Sequence, residues 1–319
     1  MQRSPKILMI GAGAVGQAYG FHLARGGAEV TYFIKEKYRE DMANGLVVKC
    51  LNGPAKGRHE YTGYGLITEL ADVNAEHWDQ VWLCVSSPAL RGQWLPDLVQ
   101  RVGQATIVML QPGTDDYGLV TSLVVADRVV HGMITLASYQ APLPGEEDEK
   151  AMHWWFPPLS PAPFTGDSTS VDLVTRCLKS GGMAAKHTKD IVKQLRVGSG
   201  ILMPLMAALE MGGWRLKELR RGRNLALVSR AVRQATQISL PNQRRILINL
   251  ISLSIVLRLI LLIAPKVTPF DLEAMLRVHF TKVGEQTRIM LQRYIEMGRQ
   301  QEQPHDAVEA LLSGISTTH

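Results

Sequence analysis

The chain has 319 residues, of which 46% are hydrophobic and 20% charged, with 35 Lys and Arg against 29 Asp and Glu and a formal net charge of +6. That length suggests two domains, and so modest a positive excess argues against a nucleic-acid partner. Three widely spaced cysteines, Cys50, Cys84 and Cys177, with no C-x-x-C pair, exclude a disulfide scaffold and a cysteine metal site. The first apolar run is too short for a signal peptide, so a reducing, cytoplasmic compartment is expected.

That first run, Lys6-Ile7-Leu8-Met9-Ile10, leads directly into Gly11-Ala12-Gly13-Ala14-Val15-Gly16. A helical stretch, Gln17 to Arg25, follows, then Gly26-Gly27 and a second β-like run, Glu29 to Phe33. Strand, G-x-G-x-x-G turn, helix and strand in about 30 residues form the unit that binds dinucleotides. Gly11 permits the tight turn, Gly13 lets the backbone approach a pyrophosphate, and Gly16 lets the helix pack against the strand. The first turn of the helix then offers unpaired N–H groups and partial positive charge to phosphates.

At the end of the second strand an Asp or Glu commonly holds the ribose 2′-hydroxyl of NAD. Here strand register puts Ile34 or Lys35 at that place, with Glu36 as the competing candidate one residue later. A cation suits a 2′-phosphate, so NADP(H) is the expected cofactor. Lys37 and Arg39 read as a solvated helix start. Further β-rich runs, Gln80–Val85, Ala105–Leu110 and Arg128–Ile134, lack strict alternation, as suits strands buried on both faces. Ligands bind beyond the carboxyl ends of such strands, which makes Ser86, Ser87, Gln111 and Gly113 candidates by position. Cys84 falls within a strand run and reads as packing.

From about Asp190 helical periodicity takes over. Between the halves, Ala141 to Ser170 is rich in Pro, Gly and acidic residues, and Trp154-Trp155-Phe156 and Phe164-Thr165-Gly166 there suit short strands closing the first domain. Trp154, Trp155 and Trp214 are either pocket-lining or core residues. The basic run Arg215–Arg223 reads as a solvated helix face. Ile246 to Ala264 is long and apolar enough to span a bilayer, but Arg258 inside it is costly in lipid. It is expected to be a core or dimer-interface helix, with a homodimer as the assembly. The fold class is α/β: an N-terminal Rossmann, doubly wound parallel sheet over residues 1–185 and a second, all-helical domain over 186–319.

The order of these parts resembles the ketopantoate reductase (2-dehydropantoate 2-reductase) family. The landmarks are KILMIGAGAVGQAYG, VTYFIKEKYREDMANGLVV, VWLCVSSPAL, VMLQPG, VHGMITLAS, DIVKQL, ILMPLMAAL and QTRIMLQRYIEMGRQQEQPHDAVEALL. The resemblance implies NADPH in a cleft between the two domains and reduction of a 2-oxo acid to a 2-hydroxy acid. It gives Gly11, Gly13 and Gly16 the pyrophosphate role and Lys35 the 2′-phosphate role, and it puts Ala137 near the nicotinamide.

The departures from the family bear on activity. A cofactor-contacting lysine falls at Ser86, and the asparagine of an H-N-G turn falls at Pro112 in Gln111-Pro112-Gly113. Proline supplies neither an N–H nor a side-chain amide. The catalytic lysine falls at Gln194, while Lys193 stands next to it, about 100° around the helix. Asparagines that follow in the family fall at Gly198, Ser199 and Leu202, and a substrate-binding glutamate matches Glu285 with the spacing off by one or two residues.

Reduction of a ketone leaves an alkoxide, which needs positive charge and a proton. Gln194 can donate hydrogen bonds but not that proton. Lys193, Lys186, His187 and Lys189 are the nearby candidates. Three readings stand: an NADPH-dependent reductase of a diverged small-molecule carbonyl or imine; an NADP(H)-binding sensor or interaction protein without turnover; and a ketopantoate reductase with a relocated acid.

Overall fold

The computed structural model describes residues 3–240, 250 and 252–316. They divide into two compact units, residues 1–191 and 192–319.

The first unit is built on twelve strands. Eight form a sheet: β1 (Lys6–Ile10), β2 (Glu29–Phe33), β5 (Gly65–Ile67), β6 (Gln80–Leu83), β7 (Thr106–Met109), β8 (Val129–Gly132), β11 (Ala162–Thr165) and β12 (Ala185–His187), in the order β12-β11-β8-β7-β6-β1-β2-β5. All neighbours are parallel except β11 and β8. Helices cover both faces, the doubly wound arrangement. The central strand divides its side chains accordingly: Ile7 and Met9 enter the core on one face, Leu8 and Ile10 the core on the other.

A second sheet, not anticipated from the sequence, has the order β4-β3-β10-β9, from β3 (Leu46–Cys50), β4 (Gly57–Tyr61), β9 (Ala137–Ala141) and β10 (Ala151–Trp155). It covers the helix that follows the glycine turn, α1 (Ala14–Arg25). Tyr19 of α1 packs on Trp82 of β6 with ring centroids 5.4 Å apart, while Phe21 and His22 pack on Trp154 of β10 at 5.4 and 5.5 Å. A helix enclosed on both sides needs no polar face, and Gly16 through Leu23 are all buried. Trp154 is therefore a core residue, not a pocket wall, and its indole N–H donates to His22 Nε2 at 3.1 Å.

Strand β12, Ala185–His187, pairs with β11, so residues 186–191, expected at the start of the helical part, lie in the first unit. The first unit's other α-helices are α2 (Arg39–Ala43), α3 (Trp94–Arg101), α4 (Thr114–Thr121) and α5 (Ser168–Ser180).

Every described element of the second unit is helical. Its long segments are Ile191–Met211, Gly222–Ser239, Ser254–Val267, Leu272–Lys282, Gly284–Gln300 and Asp306–Ser316, around a core that includes Leu209, Val228, Val232, Leu291 and Leu311, against which the partly buried Trp214 packs. Gly200 lets the first two helices approach closely, since a Cβ there would stand 2.8 Å from Thr236. The apolar run 246–264 lies partly outside the described residues. Its described helix, Ser254–Val267, buries Leu257 and Leu261 and leaves most of its other apolar side chains exposed. No described helix is long and apolar enough to cross a membrane.

Candidate cofactor site

The loop between β1 and α1 has the geometry its glycines dictate. Gly11 takes φ +95°, a left-handed conformation that disfavours any side chain, and its N–H donates to Phe33 O of β2 at 3.0 Å. Gly16 is required for a different reason: a Cβ there would lie 2.2 Å from Gly11 O. Gly13 differs from both. Its φ is −71°, open to any residue, and a Cβ built on it meets nothing within 4 Å. Nothing among the described residues requires glycine there, so its bare backbone is available for a ligand to approach.

Gly13 is the N-cap of α1, and no side chain caps the helix. The N–H groups of Ala14, Val15 and Gly16 precede the first intrahelical bond, Gln17 N to Gly13 O at 2.9 Å, and no acidic residue stands in the first turn. Positive partial charge and unpaired donors therefore face outward, as a phosphate requires. The Gln17 side chain donates to Ala12 O at 2.8 Å, which fixes the loop. Beneath it, burial pushes the Cys84 thiol up to about 12, so it is a packing group, not a nucleophile.

Strands β6, β1 and β2 are neighbours, so Ser86, the glycine loop and Lys35 follow the carboxyl ends of adjacent strands. Ile34 is buried and Lys35 exposed. Lys35 has no hydrogen bond or ion pair among the described residues. Glu36, the competing candidate, is engaged: Arg39 Nε donates to both its oxygens at 3.0 and 3.1 Å. Hydrogen bonds from Thr68 and Arg39 hold the Glu36 carboxyl below the usual carboxylate range. Lys37 lies over the Tyr38 ring at 4.9 Å.

Two positions chosen from strand ends behave differently. Ser86 is exposed. Gln111 is buried, and its Nε2 donates to Leu83 O at 2.9 Å and to Val85 O at 2.7 Å. Both amide protons tie β7 to the end of β6, so this side chain shapes the site from beneath. Ala137 is half-buried at the start of β9, opposite Trp155, in the smaller sheet.

Beside Gln111 lies a polar cluster that the sequence reading missed. Asp116, in the first turn of α4, is 1% exposed and accepts from Arg91 Nη1 at 3.0 Å. The same Arg91 nitrogen donates to Ser87 O at 2.6 Å. His131 of β8 is bonded through Nε2 to Gln111 O at 3.2 Å and stacks on Tyr117. Burial lowers the His131 pKa, against the Gln111 carbonyl and Asp116. Asp116 Oδ2, Ser87 Oγ and His131 Nδ1 are buried without a hydrogen-bond partner among the described residues. The sequence signal was an acidic pair, Asp115-Asp116, in the turn that follows Gln111-Pro112-Gly113.

The expected catalytic residues belong to the second unit. Lys193 and Gln194 are half-buried in the first turn of the helix Ile191–Met211, and Glu285 is exposed in the first turn of Gly284–Gln300. Ser199 is buried and accepts from the Tyr294 hydroxyl at 2.8 Å, joining those two helices. Lys186, His187 and Lys189 are exposed in the first unit.

Residues 7–146 match the family model described as ketopantoate reductase PanE/ApbA. No curated protein matches in sequence. Among solved structures, the fold is similar to 2-dehydropantoate 2-reductase from Geobacter metallireducens, with TM-score 0.69 and 14% identity over 98% of this chain and 100% of that one. It is similar to the enzyme of that name from Methylococcus capsulatus, with TM-score 0.70 and 18% identity over 98% and 96%. It is also similar to D-mandelate dehydrogenase bound to NADH and anilino(oxo)acetate, with TM-score 0.71 and 12% identity over 98% and 97%.

Proposed function

We propose that this chain, a member of the ketopantoate reductase family through the domain at residues 7–146, is an NADPH-dependent oxidoreductase that reduces a 2-oxo acid or related carbonyl other than ketopantoate. The observation that carries the reading is Gly13: a glycine with no internal reason to be one, at the uncapped, acid-free start of a buried helix. When bound, a reduced nicotinamide cofactor supplies a hydride. Ala14, Val15 and Gly16 would hold the pyrophosphate through their N–H groups, and Lys35 the 2′-phosphate. Lys35 has no hydrogen bond or ion pair among the described residues, whereas Glu36 is taken by Arg39. That difference supports NADP over NAD.

A carbonyl oxygen gaining charge needs a donor and a proton. Lys193 is the proposed acid, Gln194 a neutral donor and Glu285 a substrate-binding group. A solved neighbour that holds NADH and anilino(oxo)acetate supports a substrate of the oxo-acid class.

A second reading, an NADP(H)-binding protein without turnover, is favoured by Ser86, Pro112 and Gln194 at the family's lysine, asparagine and catalytic lysine positions. The test is optical: NADPH oxidation by the purified protein with ketopantoate and a panel of other 2-oxo acids, ketones and imines. Turnover confined to compounds other than ketopantoate bears out the first reading. Turnover of ketopantoate overturns its substrate claim, and NADPH binding without turnover transfers the assignment to the second.

A further inference from the structure

Residues 219–270 contain nine Lys and Arg and no Asp or Glu, whereas the remainder of the chain holds 26 basic residues against 29 acidic. The positive excess of the protein is thus concentrated in one stretch of the second unit. Within it the helix Ser254–Val267 carries exposed aliphatic side chains: Ile255 is 63% exposed, Leu259 50% and Ile263 54%, with Leu262 beside them. Helical spacing puts these four on the side opposite the buried Leu257 and Leu261. Arg258 stands at the flank of that face and Lys266 in the last turn. Both are exposed, and neither has a hydrogen bond or ion pair among the described residues.

An exposed aliphatic face edged by cations has two demands, removal from water and an anionic counterpart. A second copy of this chain, the occupant expected from the sequence, meets the first but not the second. A twofold contact between copies of this helix would bring its two cations, Arg258 and Lys266, towards those of the other copy, and the helix itself carries no acid to answer them. A nucleic acid meets the second demand only: the helix has no aromatic side chain on which a base could stack. An anionic lipid surface meets both. Acyl chains receive Ile255, Leu259, Leu262 and Ile263, and headgroup phosphates receive the cations, whose long stems let the charge rise to the interface.

We propose that the helix Ser254–Val267 is a docking surface for an anionic membrane, lying in the interface plane without crossing the bilayer. The helix is fourteen residues long and Arg258 lies within it, which suits lying on a bilayer and not spanning one. The inference is independent of the proposed reductase activity.

The test is co-sedimentation of the full chain with phosphatidylcholine vesicles, with and without phosphatidylglycerol. Partition onto the phosphatidylglycerol vesicles is expected to be about tenfold higher or more at low salt and to fall as salt is raised. The double substitution Leu259→Glu and Ile263→Glu is expected to abolish binding while circular dichroism is unchanged, because both side chains are already half in water. Leu259→Ser with Ile263→Ser serves the same purpose without added charge. Arg258→Glu with Lys266→Glu is expected to remove the preference for phosphatidylglycerol. Equal binding to both vesicle types, or binding that survives loss of Leu259 and Ile263, overturns the proposal. So does an absence of vesicle binding together with a dimer that the same substitutions dissociate, which would assign the face to a second copy.

Discussion

Asp116 and Arg91 form an unequal pair: the carboxylate side chain is 1% exposed and the guanidinium 52%, with 3.0 Å between Oδ1 and Nη1. The arginine can be rehydrated if its partner is lost, but the carboxylate cannot. Replacing the two should therefore have different consequences. Asp116→Asn keeps the shape and is expected to cost about 1 kcal/mol. Arg91→Met strands a buried charge and is expected to cost about 2–3 kcal/mol at neutral pH. Urea denaturation of both variants measures the asymmetry, and equal costs would contradict it.

The His22 side chain sets a pH limit on stability. Its Nδ1–H donates to Gly181 O at 2.8 Å, and Nε2 accepts from Trp154. A second ring proton would face the Trp154 N–H, and burial already lowers the pKa from 6.5 to about 4. Between those values the unfolded chain binds more protons than the folded one, so stability falls as pH falls from 6.5 towards 4. The contribution at stake is about 3 kcal/mol. His22→Gln is expected to flatten the pH dependence of the melting temperature across that window while lowering it at pH 7.

Gly20 and Tyr32 meet where α1 crosses β2. A Cβ on residue 20 would lie 2.0 Å from the Tyr32 hydroxyl and 2.8 Å from its ring. Tyr32 is fully buried and cannot retreat. Gly20→Ala is expected to cost about 2–3 kcal/mol through overpacking. Tyr32→Phe in the same chain should recover part of that loss, a coupling that a double-mutant cycle measures.

The proposed function gives cofactor choice to Lys35. Lys35→Asp is expected to weaken NADPH about tenfold or more while NADH binds as before or better, because a carboxylate repels a 2′-phosphate and accepts a ribose hydroxyl. Titration with both nucleotides checks this, and an unchanged NADPH affinity would reassign the position.

Gln194→Lys restores the residue type the family resemblance places there. Under the proposed function, whose substrate is not ketopantoate, the variant is expected to show no ketopantoate reduction when NADPH oxidation is followed optically. A gain would show that the pocket accepts ketopantoate once the lysine is supplied.

The elements legible in the sequence were those whose reasons are local. The strand–glycine–helix–strand unit declares itself through Gly11, Gly13 and Gly16, and β6, β7 and β8 through continuous apolar runs. The smaller sheet was not legible, because β3 finds its partner β10 about a hundred residues away, as in Val48 opposite Met152, and nothing near Val48 encodes that pairing. Gln111 shows the limit at a site: strand position marked it as a ligand contact, but its amide turns back to the carbonyls of Leu83 and Val85. Asp116 was invisible for the complementary reason, since its importance lies in burial beside Arg91, not in any motif.

The most direct measurement compares Gly13→Ala with the unaltered chain, by thermal melting and by NADPH titration. Position 13 has an ordinary φ and open space around an added Cβ. The melting temperature is therefore expected to stay the same, while NADPH affinity falls about tenfold or more as the methyl group occupies the approach of the pyrophosphate. A variant that melts normally and binds NADPH as tightly as the original would contradict the claim that this loop is built for a dinucleotide.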